Sequence, residues 1–133
     1  MIAGVADTHT ALWYLFGDVR LSAPAKAHFD AAASVRERIA ISVISMAEIV
    51  YLVEKRRILA SAFDDLQAAL RNRDHVLHEA PVTAEIIESM QRIPRTDIPD
   101  MPDRIVAATA VYFDVPIISR DGRIRAAQLT TVW

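Results

Sequence analysis

Four acidic residues stand just past short apolar runs, at points where a helix should begin: Asp7, Glu48, Asp103 and Asp121. Asp7 follows Ile2–Ala6, Glu48 follows Ile39–Val43, Asp121 follows Val115–Ser119, and Asp103 heads the stretch Arg104-Ile105-Val106-Ala107-Ala108. If the apolar runs are parallel strands, most of these acids converge on one edge of a sheet. Crowded carboxylates repel one another, and a divalent cation relieves the repulsion. Mg2+ and Mn2+ take oxygen ligands, keep several waters and need only one or two direct carboxylates. Water whose pKa is lowered by such an ion is a nucleophile suited to a phosphodiester.

Each acid also has a purely structural explanation. Asp7 can cap the helix that follows it, accepting from unpaired N–H groups. Ser45-Met46-Ala47-Glu48 has the form of a capping box, in which Glu48 bonds back to the Ser45 amide. Asp103 follows Pro102 in a first helical turn, where the helix dipole favours an anion. Asp121-Gly122 is a common turn pair. Capping, however, is served equally by Ser or Thr, and Ser42, Ser45 and Ser119 stand beside these acids. A scaffold has little reason to concentrate negative charge along one sheet edge; a cation site does.

The elements that must position these residues read as alternating strands and helices. Ile2–Ala6 is a buried strand and Thr8–Phe16 a helix ended by Gly17. Ser22 with Pro24 starts a helix from Ala25 to about Ala33. Ile39–Val43 is a second strand. Ser45–Arg57 is a helix with Met46, Ile49, Val50 and Val53 at helical spacing and Lys55-Arg56-Arg57 in its last turn. Ser61-Ala62-Phe63-Asp64 opens a further helix. Val76–Val82 is a third strand, followed by a helix from Thr83 to Met90 and a rigid loop, Ile93 to Pro102, carrying Pro94, Pro99 and Pro102. A helix from Asp103 to about Phe113, a strand at Val115–Ser119 and an edge strand at Leu129–Val132 complete the chain. This alternation means an α/β fold with a mostly parallel sheet of four to five strands and helices on both faces. Ligands in such sheets bind beyond the carboxyl ends of the strands, where most of the acids fall.

The composition is compatible with that reading. At 133 residues, the chain fits one domain, residues 1–133, with 53% apolar residues to fill a core. No apolar stretch approaches the ~20 residues a membrane helix needs. The absence of a charged segment before the first apolar run, with Asp7 interrupting it early, argues against a signal peptide. No cysteine is present, which excludes disulfides and thiolate chemistry and suits a cytoplasmic location. The net charge is −2, so nucleic acid would have to be met by a local basic patch.

At these residues the sequence resembles the PIN-domain ribonucleases, in particular the VapC-like toxins of toxin–antitoxin pairs, over nearly the whole chain. Val5-Ala6-Asp7-Thr8-His9-Thr10-Ala11-Leu12-Trp13 looks like the family's opening, and Ser42-Val43-Ile44-Ser45-Met46-Ala47-Glu48-Ile49 like its second signature. Asp100-Met101-Pro102-Asp103-Arg104-Ile105-Val106-Ala107-Ala108-Thr109-Ala110 is similar to its most specific segment, and Ile117-Ile118-Ser119-Arg120-Asp121 matches the closing strand. Leu129-Thr130-Thr131-Val132-Trp133 looks like the short last strand.

The resemblance implies a three-layer α/β/α PIN-like fold in which Asp7, Glu48, Asp103 and Asp121 form an acidic pocket. Ser119 would orient a ligand or water there, and Asp100 is a further metal-ligand candidate. Asp7 and Asp103 would ligate Mg2+ or Mn2+ directly, while Glu48 and Asp121 hold water or a second ion. The loop Asp97-Ile98-Pro99-Asp100-Met101-Pro102 departs from the family pattern by two prolines and a third acid, which leaves the orientation of Asp100 open. The implied activity is metal-dependent endonucleolytic hydrolysis of single-stranded RNA, with one ion or a pair ~3.5–4 Å apart. The implied partners are an RNA substrate, a cognate antitoxin and a second copy of the chain in a homodimer.

Arg104, Arg120, Arg123 and Arg125 are phosphate-binding candidates, though Arg123 and Arg125 are equally explained as ordinary surface residues. His9 reads as a lone helix-surface histidine, and the Trp13, Tyr14, Phe16 group as mostly core. Among other α/β classes, a phosphoacceptor domain would show adjacent acids after the first strand and a Lys after the last. This chain has a single Asp7 there and no Lys beyond Lys55. A phosphatase forming an aspartyl-phosphate would want a second Asp where His9 stands. The remaining alternatives are a nuclease of the same pocket acting on DNA or structured nucleic acid, and an interaction module without activity.

Overall fold

The computed structural model describes Met1–Trp133. Its strands are β1 (Ile2–Ala6), β2 (Arg38–Ser42), β3 (Leu77–Ala80), β4 (Ile117–Ile118) and β5 (Thr131–Val132). The helices are α1 (Thr8–Phe16), α2 (Ala23–Ser34), α3 (Val43–Glu54), α4 (Ala62–Arg71), α5 (Ala84–Ser89), α6 (Met101–Phe113) and α7 (Gly122–Ala126), with a 3₁₀ turn at Met90–Arg92. All strand pairings are parallel, in the order β3-β2-β1-β4-β5.

Side-chain alternation along the strands divides the core between two faces of the sheet. Ala6, Ile39, Ile41, Leu77 and Ile118 pack with Leu12, Phe29, Ile49 and Leu66, so α1, α2, α3 and α4 cover one face. Val5, Ala40, Ala80 and Ile117 pack with Ile86, Val106 and Ile124, which places α5, α6 and α7 on the other. The result is the three-layer α/β/α arrangement expected from the alternating elements. No helix is long and apolar enough to cross a membrane.

β1 and α1 have the limits read from the sequence, and Gly17 ends α1 in the left-handed conformation at φ 62°. The second strand stops one residue early. Ser42, the last residue of β2 and opposite Ala80, is also the N-cap of α3, its hydroxyl accepting from the Ile44 amide. The Ser45–Glu48 capping box is therefore not formed: Ser45 is the third residue of the helix, and its hydroxyl is buried without a partner. α3 ends at Glu54, so Lys55, Arg56 and Arg57 lie in the turn beyond it rather than in its last turn. Asp103 is likewise not the head of its helix; Asp100 caps α6, its carboxylate accepting from the Asp103 amide at 3.1 Å. Ser61 precedes α4 without a side-chain cap bond. The five-residue α7 starts after Asp121, where a helix start is expected from the sequence, but has no apolar periodicity long enough to give its length.

The chain passes from β1 outward to β2 and β3, then returns to place β4 on the opposite side of β1. The reversal opens a crevice at the carboxyl ends of β1 and β4, where α/β sheets bind ligands.

Candidate active site

Asp7 leaves β1 into that crevice as the N-cap of α1. One of its carboxylate oxygens accepts from the Thr10 amide at 3.0 Å. The other accepts from the hydroxyl of Ser119, at the end of β4. Ser119 is fully buried and its oxygen in turn accepts from the Asp121 amide at 3.0 Å. Asp121 caps α7 through bonds from the Arg123 and Ile124 amides, both to one carboxylate oxygen. The first cap is the structural explanation weighed from the sequence for Asp7; for Asp121, a helix cap takes the place of the turn pair. The caps do not consume the acids, because each carboxylate oxygen carries two acceptor sites.

A cavity of about 170 Å³ brings the four acids together: Asp7, Glu48, Asp103 and Asp121 line it with Thr8, His9 and Arg120. Ser119 lies behind the wall, touching the cleft through the Asp7 carboxylate and the Asp121 amide. Asp100 does not line it, but its charge acts on both Asp103 and Glu48. Of the arginine candidates, Arg120 reaches the cleft and Arg104 does not. The Arg104 guanidinium donates to the carbonyls of Ile93 and Met90 at 3.0 and 3.1 Å, pinning the start of the proline loop to α6. His9 is exposed on α1, as a helix-surface histidine should be, but it also belongs to the cleft. It stacks on Trp13 with ring centroids 5.7 Å apart and lines the cleft. The i, i+4 spacing of His9 and Trp13 was the available signal.

The electrostatics follow from crowding. Asp103 is pushed up to about 7, first by burial, then by the charges of Asp100, Asp121, Glu48 and Asp7. Glu48 is raised as well, chiefly by burial; the Thr8 hydroxyl facing it pulls the other way, and the charges of Asp100 and Asp7 add to the rise. Its Oε1 is buried with no hydrogen-bond partner. A buried, orphaned carboxylate oxygen and a carboxyl that resists ionisation are both relieved by a cation. No three of the His, Asp or Glu side chains form a closed metal-ligating group as they stand. The oxygen-only set therefore fits a hard ion that keeps most of its water and takes one or two carboxylates directly.

A three-layer fold with a carboxylate cleft at its switch point defines a class of metal-suited α/β domains, and the sequence narrows it. The model of the PIN domain matches residues 5–128, and the chain belongs to that family. It is 26% identical to Ribonuclease VapC22 of Mycobacterium tuberculosis (strain ATCC 25618 / H37Rv) over 136 residues, spanning 100% of both chains. Among solved structures, it resembles a chain of VapBC2 from Rickettsia felis, determined bound to a DNA fragment from its promoter. The TM-score is 0.70 at 17% identity, covering 98% of this chain and 97% of that one. It also resembles Mycobacterium tuberculosis VapC20, described as a Sarcin-Ricin loop cleaving toxin. There the TM-score is 0.62 at 19% identity, over 96% and 97% of the two chains.

Proposed function

We propose that this protein is a VapC-like endoribonuclease, the toxin of a toxin–antitoxin pair, which hydrolyses single-stranded RNA with Mg2+ or Mn2+. The observation that carries this reading is the cleft in which Asp7, Glu48, Asp103 and Asp121 face one another, with Asp103 pushed up to about 7 first by burial and then by the neighbouring carboxylates. The full-length similarity to Ribonuclease VapC22 and the likeness to VapBC toxin–antitoxin structures support the RNA substrate and the antitoxin partner. The same reading takes residues 1–133 as one nuclease domain acting in the cytoplasm, as a homodimer.

Asp7 and Asp103 are assigned to hold the cation, because both line the cleft and Asp103 gains most from a neutralising charge. The bound ion would supply Lewis-acid polarisation of the phosphate and a lowered water pKa. Glu48 and Asp121, which line the same cleft, would accept hydrogen bonds from water there and orient it for in-line attack. Ser119 acts through Asp7: it fixes the carboxylate's rotation while holding the amide of Asp121. Asp100 contributes negative field from outside the cleft and caps the helix that carries Asp103. No side-chain nucleophile is needed.

The test is cleavage of single-stranded RNA with Mg2+ or Mn2+ by the wild type, Asp7→Asn and Asp103→Asn, with single-stranded and duplex DNA of equal length beside it. Both variants are expected to lose at least about a hundredfold in rate, since a ligand of the ion is removed from each. Equal degradation by all three proteins would show the site to be elsewhere, and preferential DNA cleavage would replace the substrate.

A further inference from the structure

Arg120 lines the carboxylate cleft yet forms no ion pair; the two in the structure join Arg20 to Asp18 and Lys26 to Asp30. Its guanidinium lies 4.6 Å from the centre of the Trp13 ring. Coulomb attraction alone would draw it onto the acids that share its walls. The indole supplies a competing attraction through the negative face of its ring. Trp13 is only 6% exposed, so its ring is a fixed support. The guanidinium keeps its in-plane N–H donors for an oxyanion, and its fork matches a phosphate.

Trp13 and His9 also form a wall of a second cavity, about 530 Å³, which adjoins the first across these two side chains. Arg56 and Arg57 border it, and Phe16 and Leu59, 42% and 67% exposed, give it apolar surface. The acid it contains, Asp18, is bound by Arg20 at 2.7 Å. Unpaired cations beside exposed apolar side chains, next to the carboxylate cleft, complement a single strand, with its phosphates and unstacked bases.

We propose that this groove is the subsite for the RNA strand flanking the scissile phosphate: Arg120, positioned by Trp13, binds a phosphate at its mouth, Arg56 and Arg57 bind phosphates beyond it, and bases rest on Phe16 and Leu59. The proposal rests on the ribonuclease reading. It is tested by measuring the affinity of Asp7→Asn protein for a labelled single-stranded oligoribonucleotide across a series of salt concentrations. Arg120→Gln, Arg56→Gln and Arg57→Gln, each added to that background, weaken binding several-fold and lower the slope of log affinity against log salt by about 0.7. Trp13→Leu has the effect of Arg120→Gln with the arginine intact, and Trp13→Phe, which keeps an aromatic face, restores most of the slope; a merely structural loss moves affinity without moving the slope. Should Trp13→Leu fail to fold, Arg120→Gln and Trp13→Phe decide. Arg73→Gln, on the exposed turn before β3, leaves the slope unaltered. Unchanged slopes in Arg120→Gln and Arg57→Gln proteins that still bind RNA overturn the subsite, as they would if the groove received a protein instead. A wild type that neither binds nor cleaves RNA removes the ribonuclease reading along with it.

Discussion

Ser119 donates its hydroxyl to the carboxylate of Asp7 across 112 positions of sequence, tying the carboxyl end of β4 to that of β1. The same oxygen accepts from the Asp121 amide, so one fully buried atom sets two of the acids in the cleft. Ser119→Ala should leave the Asp121 amide and one Asp7 oxygen without these partners, costing about 1–3 kcal/mol of stability. RNA cleavage should fall about ten- to a hundredfold, the usual loss when a residue orienting a metal ligand is removed. Urea unfolding and single-turnover cleavage measure the two effects separately; a stability loss with undiminished cleavage would reduce Ser119 to a packing role.

The proton affinity of Asp103 makes stability depend on pH. Folding lifts its carboxyl from the ordinary 3.8 to about 7, so across that window the folded protein holds a proton the unfolded chain has released. Stability is therefore highest below the lower value and declines as pH rises through the upper one. Because the group is only half-buried, solvent screening reduces the effect to roughly 1–2 kcal/mol, well under the full displacement. In protein stripped of divalent ions, Asp103→Asn should be more stable than wild type at about pH 8 and lose most of the pH slope. Thermal unfolding from acid to neutral pH checks this, and a wild-type midpoint that rises through the window would contradict it.

Divalent cations should reverse that penalty. Mg2+ or Mn2+ at about a hundred times its dissociation constant should stabilise the wild type by roughly 2.7 kcal/mol. The shift should grow between about pH 6 and pH 8, because the ion competes with the Asp103 proton. Asp7→Asn and Asp103→Asn should show little of it. Calorimetric titration at two pH values, with proton release measured in buffers of different ionisation enthalpy, tests the coupling directly.

Arg104 separates structural from substrate-binding arginines. Its two hydrogen bonds to the Ile93 and Met90 carbonyls predict that Arg104→Ala destabilises the fold by about 2–3 kcal/mol. The salt dependence of RNA binding by the folded protein should not change. A reduced salt slope would return Arg104 to the list of phosphate contacts.

The sequence by itself determined the architecture and the identity of the acids. Apolar runs alternating with helical periodicity require a parallel α/β sheet, and parallel strands deliver their carboxyl ends to one edge. Hence Asp7, Glu48, Asp103 and Asp121 could be named before any coordinate was known. Cap assignments were less legible, because Ser42 and Ser45 both suit a helix start and local preference cannot choose between them. The choice falls to strand pairing, which carries β2 as far as Ser42 opposite Ala80. Only the tertiary structure decided which hydroxyl holds Asp7, that Arg104 turns to backbone carbonyls, and that Arg120 rests on Trp13 instead of the carboxylates. Propensity and periodicity act over a turn or two of chain; the distance between remote side chains, and with it the burial and the field that lift Asp103, is set by how the layers pack.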